Sequence, residues 1–506
     1  MSLARESYIG TLLVRFWTAL ALCYRDSVLC RGLDALGRWC SRQIDGSAVL
    51  GVLCREGAVA RGWGSSWTCR VLSVLVNLPG LLLHRLYRWG QAVFDDSFFA
   101  RLAFAVGDET AVAESWMILG LWVIPYSHWS NAYSLLGFSF LLGLFLLRSM
   151  HRGTLLDVGA AGFYPALLFG AVCLAYLFSA YPSLSTRFVA FHIVCLLCVL
   201  VTVSAVRNEE DLKRLAAGAC FVVLVSSLYA VYQRIQGVKV NASYVDMTVN
   251  AGMPGRVESF FDNPNTFAEV LILLLPLVLA LVLCSRHWLG RLVAAGTFAI
   301  GAAAMGMTYS RASWVGIAVA MLVFVFLWKP KLLPLFLALC AACVPLLPET
   351  IWNRILTIGN TSDSSTASRI PLYKAALATI RRSPVSGAGL GTAAVQKYIS
   401  VHNLYHARAP YVHAHNIYLE LWVEAGILGF FGFLSSMLWN IKNAARTVRH
   451  CPRSAARTLT CACAASLSGS MVAGLADYLW NYPRVMSMFW LVFALAIAGG
   501  KVCRKA

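Results

Sequence analysis

The chain has 506 residues, 59% of them hydrophobic and 13% charged, with a formal net charge of +19 and a mean hydropathy of +0.68. No soluble domain needs that much apolar surface, so the long uncharged runs mark an all-α polytopic membrane protein. The positive charge does not signal nucleic acid, because basic residues gather at the ends of apolar runs, the pattern set by anionic lipid and the positive-inside rule.

Residues 1–110 contain arginine but no lysine, and their apolar stretches are short or interrupted. YIGTLLVRFWTALALCY and VLSVLVNLPGLLLHRLYRW read as amphipathic helices lying at the cytoplasmic interface. Arg15 interrupts the first apolar stretch, which argues against a cleavable signal peptide. Residues 111–506 form the transmembrane domain, with about twelve expected spans: 112–129, 132–148, 158–181, 188–206, 214–234, 264–284, 288–307, 312–328, 332–347, 416–440, 458–480 and 485–500.

Basic residues orient these spans. RSMHRG, RNEEDLKR, SRHWLGR, WKPK, NIKNAARTVRHCPRSAAR and KVCRKA fall on one side, and the short connections around Arg187, Arg311 and Arg484 on the other. The bias places both termini in the cytoplasm. Two expected outer loops are long, roughly 235–263 and 348–414. The second is a large helical extracytoplasmic loop, too long for a passive connection, and its net positive charge suits an anionic ligand. The sixteen cysteines lie in apolar or cytoplasmic stretches and not in these two loops, so they serve as small hydrophobes and no structural disulfide is expected.

Chemistry-bearing residues gather at the outer face. Arg256 precedes an Asn-Pro-Asn turn at the start of the 264–284 helix. It reads either as a planar fork for a phosphate or as an interfacial arginine reaching for headgroups. Arg311 sits in a connection of a few residues, where ionisable groups at membrane depth usually face the protein interior. Within the large loop, Leu372, Ala376 and Ile380 mark a helix, and Gly387, Gly389 and Gly391 mark a sharp turn rather than a phosphate loop, which would need a preceding strand. His402, His406, His413 and His415 fall within fourteen residues. Metal binding by this cluster is considered and set aside, because well-placed Asp, Glu or Cys partners are lacking in the loop; a single histidine acting as base is preferred.

The arginine before Asn-Pro-Asn, Ser-Arg at a helix start, Arg369-x3-Tyr followed by Pro-x2-Gly-x-Gly, and the His-Asn-x-Tyr-Leu…Glu-x-Gly helix entry occur here in that order. Together they resemble the O-antigen ligase and O-antigen polymerase superfamily of bacterial membrane glycosyltransferases, over roughly residues 155–500. The resemblance implies an inverting transfer without metal or cofactor, from a glycan on undecaprenyl pyrophosphate in the outer leaflet to a glycan, lipid or protein acceptor. It maps the catalytic groups onto Arg256, Arg311 and His415. Arg369, Arg408, His413, Asn416, Tyr418 and Asp477 are the expected substrate-binding residues. A ligase-type transfer is the preferred reading and a repeat-unit polymerase the alternative; a transporter or flippase would need charges spread through several mid-helix positions.

Overall fold

The protein is described by a computed structural model, which covers residues 8–46, 58–241, 252–358, 367–407 and 411–505. Every regular element among these residues is helical. In chain order the main helices are α1 (Tyr8–Arg25), α2 (Val28–Gly46), α3 (Trp67–Trp89), α4 (Phe98–Asp108), α5 (Thr110–Trp122), α6 (Asn131–Arg152), α7 (Phe163–Leu177), α8 (Pro182–Ala205), α9 (Glu209–Gln236), α10 (Pro264–Cys284), α11 (Trp288–Met307), α12 (Arg311–Trp328), α13 (Leu333–Cys343), α14 (Glu349–Leu356), α15 (Arg369–Arg382), α16 (Thr392–Val401), α17 (Ile417–His450), α18 (Ala455–Ala473) and α19 (Pro483–Lys505).

Among the described residues, nine helices are long and apolar enough to cross a membrane, or ten if the pair Pro330–Leu346 and Glu349–Leu356, bent by 113°, counts as one span. The expected twelve therefore need revision. Each expected segment contains a helix, but α5, α7 and α18 fall short by length or composition. For α18 the reason is packing: rich in Ala, Ser and Thr, it is buried along most of its length and needs no lipid-facing apolar surface. Conversely α3, read as interfacial, is long and apolar enough to span. The region from Trp63 to His84 is nonetheless hydrogen-bonded to one end of α6 and the segment beyond it, meeting Val158, Leu156 and Met150 in turn. Every cysteine whose side chain is described is free.

The centre of the bundle is α10 and α19, hydrophobic all round and almost wholly buried. Helix α18 packs on α10 and α12. A side chain on Gly316 or Gly469 would strike the other's carbonyl oxygen, so glycine at both positions lets the backbones meet. This contact also aligns the helix ends. Gly316 is one turn into α12 and lies against Ala473, the last residue of α18. The start of α17 is bound to the same place, with Ile417 N–H donating to the Gly474 carbonyl at 2.9 Å. The starts of α10, α12 and α17 and the end of α18 thus share one end of the bundle.

Between α13 and α17 the chain forms α14, α15 and α16. Leu372, Ala376 and Ile380 of α15 join Val395, Tyr398 and Tyr411 in a small core that closes on Val423 of α17. The glycine turn presses this unit onto the bundle. Gly387 has φ +73 and meets the backbone at Glu424, while Gly391, φ +82, lies against the Phe188 ring, so a side chain at either would be both strained and blocked. These glycines serve the turn, as expected.

Candidate active site

Asn416 caps α17 by accepting hydrogen bonds from Tyr418 N–H and Leu419 N–H, both at 3.0 Å. Its amide also donates to the Leu475 carbonyl at 3.0 Å, and the Tyr418 hydroxyl donates to the Met471 carbonyl at 2.7 Å. Both residues, expected to bind substrate, use these polar groups to fasten the entry of α17 to the end of α18. That fastening brings together two residues sixty-two apart: His415 Nδ1 lies 3.0 Å from Asp477 Oδ1.

The pair has an inside and an outside. Asp477 is buried, and its Oδ1 also accepts from Tyr478 N–H at 2.9 Å. The His415 side chain keeps 32% of its exposure against 12% for Asp477, so the imidazole faces the opening and the carboxylate stands behind it. His415 holds a left-handed backbone, φ 46, which non-glycine residues adopt at a cost. Burial alone would raise the Asp477 carboxyl, but the hydrogen bond and charge of His415, with His413 and Arg369 nearby, hold it below the usual carboxylate range.

His413 stands beside His415, ring centroids 4.1 Å apart. Its Nδ1 accepts the His415 backbone N–H at 3.1 Å, which requires a ring nitrogen without a proton. Burial, then the neighbouring His415, push its pKa down to about 3, so it is neutral at physiological pH. His413, His415 and Asp477 offer donor atoms that all lie within 4.8 Å of one another. Two observations oppose a cation there. The His413 Nδ1 and the His415–Asp477 pair are already hydrogen-bonded, and the charge of Arg369, the first residue of α15, reaches His413 and Asp477. Of the other loop histidines, His402 packs on Tyr398 with centroids 4.4 Å apart, and neither it nor His406 joins this cluster.

The two other expected catalytic groups lie on a neighbouring turn. Arg256 is buried; its Nε donates to the Thr308 carbonyl at 2.7 Å and its Nη2 to Asn265 Oδ1 at the start of α10. Three residues beyond Thr308, Arg311 opens α12 and donates through Nη1 to the Thr357 carbonyl at 2.6 Å and to its hydroxyl at 3.1 Å. Helix α10 links this turn to the histidine pair: the Leu273 carbonyl of α10 accepts from the Ser466 hydroxyl of α18 at 2.7 Å, and α18 ends at Ala473, shortly before Asp477. Arg256, Arg311, Arg369, His413, His415 and Asp477 therefore belong to one end of the bundle. Arg408 lies outside the described residues.

Sequence reasoning passed over Glu420 and gave Glu424, the acid of the Glu-x-Gly helix entry, no role; both are fully buried at the start of α17. Glu420 Oε2 accepts the Ala414 N–H at 2.6 Å and the Tyr411 hydroxyl at 2.9 Å, and Glu424 Oε2 accepts the Tyr478 hydroxyl at 3.1 Å. One carboxylate thereby braces the segment before His415 and the other the segment after Asp477. The signal was available: two acids at i,i+4 spacing in an apolar helix are costly unless they hold something.

No curated protein matches the chain. Residues 296–434, from α11 to the first half of α17, match the family model described as O-Antigen ligase. The matched segment contains Arg311, Arg369, His413 and His415, while Arg256 and Asp477 lie outside it. This match covers 139 of the 506 residues and supports, over that segment, the resemblance to the O-antigen ligase and O-antigen polymerase superfamily.

Proposed function

We propose that the chain transfers a glycan from undecaprenyl pyrophosphate to an acceptor hydroxyl, at the extracytoplasmic face of the bacterial inner membrane, with inversion and without a metal. The observation that carries this reading is the His415–Asp477 pair, open on the histidine side, at the bundle end where three arginines also lie. With Asp477 accepting from Nδ1–H, the lone pair of His415 rests on Nε2, free to take a proton. The acceptor hydroxyl loses its proton to Nε2 as its oxygen bonds to the anomeric carbon. The carbon–oxygen bond to pyrophosphate breaks in the same displacement, and the leaving group departs with the electron pair. Fixed guanidinium groups at Arg256, Arg311 and Arg369 meet that growing charge, and their planar forks suit phosphate oxygens.

A repeat-unit polymerase would use the same groups with a lipid-linked acceptor. Transport is disfavoured because the buried acids of α17, Glu420 and Glu424, stand at the site end of the helix and brace it. The test is transfer from a purified polyprenyl-pyrophosphate glycan. His415→Ala should lose about 10²- to 10⁴-fold in rate, the scale of a general base, with lipid-linked donor accumulating in cells. Activity should survive a chelator. An active His415→Ala enzyme would remove the base, and chelator loss reversed by a divalent ion would turn the histidine–aspartate cluster into a metal site.

A further inference from the structure

A cavity of about 450 Å³ lies at the same end of the bundle as the histidine pair and contains none of the residues assigned above. Its size falls within the range of small-molecule sites. Five segments wall it: the α5–α6 connection, the start of α8, the turn and start of α10 at Phe261 and Thr266, the start of α16, and residues 481–485 where α19 begins. Two contacts tie it to the active site. Thr392 and Asn481 in its wall are hydrogen-bonded at 3.3 Å, and Asn481 is four residues past Asp477. Gln396, also in the wall, donates to the Tyr411 carbonyl, in the segment that leads to His413 and His415. Thr266 lines the cavity one residue from Asn265, the partner of Arg256.

The lining chemistry narrows the ligand. Amides and a hydroxyl at Asn131, Gln396, Asn481 and Thr392 stand among the aromatic rings of Tyr126 and Trp129. Such walls suit a sugar, whose hydroxyls pair with amides while its C–H faces pack on rings. The wall is also pre-set. Arg484 is held between the Trp129 and Phe261 rings, 4.5 and 4.4 Å from their centroids, and donates to the Ile124 and Phe260 carbonyls at 2.6 and 2.7 Å. A binding surface fixed in this way costs little ordering when a ligand arrives. Arg187 is exposed at the rim, and none of the described lining residues is acidic. Two guanidinium groups without a carboxylate exclude a sugar bearing a free ammonium group.

We infer that this cavity is a subsite for an uncharged or acidic sugar unit of a glycan, at the same end of the bundle as the base and separate from the arginines that meet the pyrophosphate. The inference rests on the proposed glycan transfer, and the sugar belongs either to the donor glycan or to a glycan acceptor. The same chemistry serves both, so the test carries two probes. One is the oligosaccharide freed by mild acid from the polyprenyl-linked glycans of the cell. The other is the delipidated oligosaccharide of its surface glycolipid. Calorimetric titration of each into the full chain in nanodiscs should show binding of at least one, and the probe that binds names the source.

Ala393→Trp, which fills the cavity from an exposed lining position, should weaken that binding about tenfold or more. Arg187→Ala, at the exposed rim, should weaken an acidic probe more than a neutral one. His415→Ala should bind as wild type does. Absence of binding by either probe, or unchanged binding by Ala393→Trp, would overturn the subsite. The two readings fail separately. A dead His415→Ala enzyme whose cavity binds neither probe leaves the transfer reading and removes the subsite, whereas an active one whose cavity binds sugar removes the base and keeps the subsite.

Discussion

Two histidine–aspartate pairs stand at opposite ends of this bundle with almost the same separation. At the end away from the proposed site, His151 Nδ1 lies 3.2 Å from Asp108 Oδ2; at the site end, His415 Nδ1 lies 3.0 Å from Asp477 Oδ1. What differs is the company of the carboxylate. The Asp108 oxygen also takes two donors from Arg152, at 2.7 and 2.9 Å. Burial alone would raise that carboxyl, and the Arg152 hydrogen bonds hold it low. Its charge is shared with a guanidinium, and the His151 ring is stacked on Phe104 at 4.8 Å with the planes 5° apart. That pair staples α4 to α6. The Asp477 oxygen hydrogen-bonds His415 and a backbone N–H, the His415 ring is left open on one side, and the backbone beneath it is strained. A short histidine–carboxylate distance is therefore not a functional signal by itself. Nor is exposure, since His151 and Asp108 keep 28% and 13% of their side-chain exposure against 32% and 12% for His415 and Asp477. What sets the site pair apart is a carboxylate with no guanidinium hydrogen-bonded to the oxygen that holds the imidazole.

The sharpest way to break this contrast is at the aspartate. Asp477→Asn preserves size but removes the charge that fixes the His415 tautomer, and an amide can turn its N–H₂ toward the ring. We expect kcat to fall about 10²- to 10⁴-fold, with KM for the lipid-linked donor changed little, since Asp477 stands behind the histidine. A matching rise in KM with unchanged kcat would instead make Asp477 a substrate-binding residue.

Next in size are the arginines. Arg256 spans the Thr308 carbonyl and Asn265, and Arg311 holds two groups of Thr357. Lysine keeps the charge and cannot reproduce either fork. Losing one charge-assisted hydrogen bond of about 1.5–3 kcal/mol predicts roughly 10- to 150-fold slower transfer for Arg256→Lys and for Arg311→Lys, at near-normal expression. Full activity of both would reduce the arginines to general attraction.

His413 gives a smaller effect, seen in stability. It is buried and stays neutral down to about pH 3, whereas an ordinary histidine takes its proton near 6.5. Between those values the unfolded chain binds the extra proton and the folded one does not, so acid favours unfolding and stability rises with pH. His413→Gln keeps an acceptor for the His415 N–H and removes the titration. Its melting temperature should fall less than that of wild type between pH 7 and pH 4. An identical fall in both would mean that His413 is not buried as a neutral ring.

How much of this was legible depends on the distance over which each feature is decided. The limits of α10 and α11, 264–284 and 288–307, were read to the residue, because Pro264 after the Asn263 cap and the polar Ser-Arg-His break are local signals. Helix α18 was extended too far, because hydropathy does not record that a Ser- and Thr-rich helix is buried by its neighbours. Within the site, Arg256, Arg311 and His415 stand out as polar residues at apolar helix starts. Asp477 was named only as a substrate-binding residue, and its pairing with His415 was not read, because that pairing depends on how α17 and α18 meet. Asn416 and Tyr418 were legible as a motif, and the structure adds a role that the motif did not state: their hydrogen bonds to the backbone fasten α17 to the end of α18.

The smallest expected effect tests the comparison from the other side. His151→Ala removes one partner of Asp108 and a ring packed on Phe104 and on Tyr87, the latter at 5.6 Å. If a short histidine–aspartate contact were enough for function, this variant would slow transfer as His415→Ala does. We expect transfer within about twofold of wild type, because the Arg152 bonds to Asp108 remain and the pair lies at the far end of the bundle from Arg256 and Arg311. Stability should fall by about 1–2 kcal/mol, the usual size for a partly buried ring and one hydrogen bond, read as a lower melting temperature in detergent. Asp108→Asn should cost more stability than His151→Ala, since it disturbs two arginine bonds as well. A large loss of transfer in either variant, with stability unchanged, would show that the α4–α6 staple acts on the site, and the contrast between the two pairs would fail.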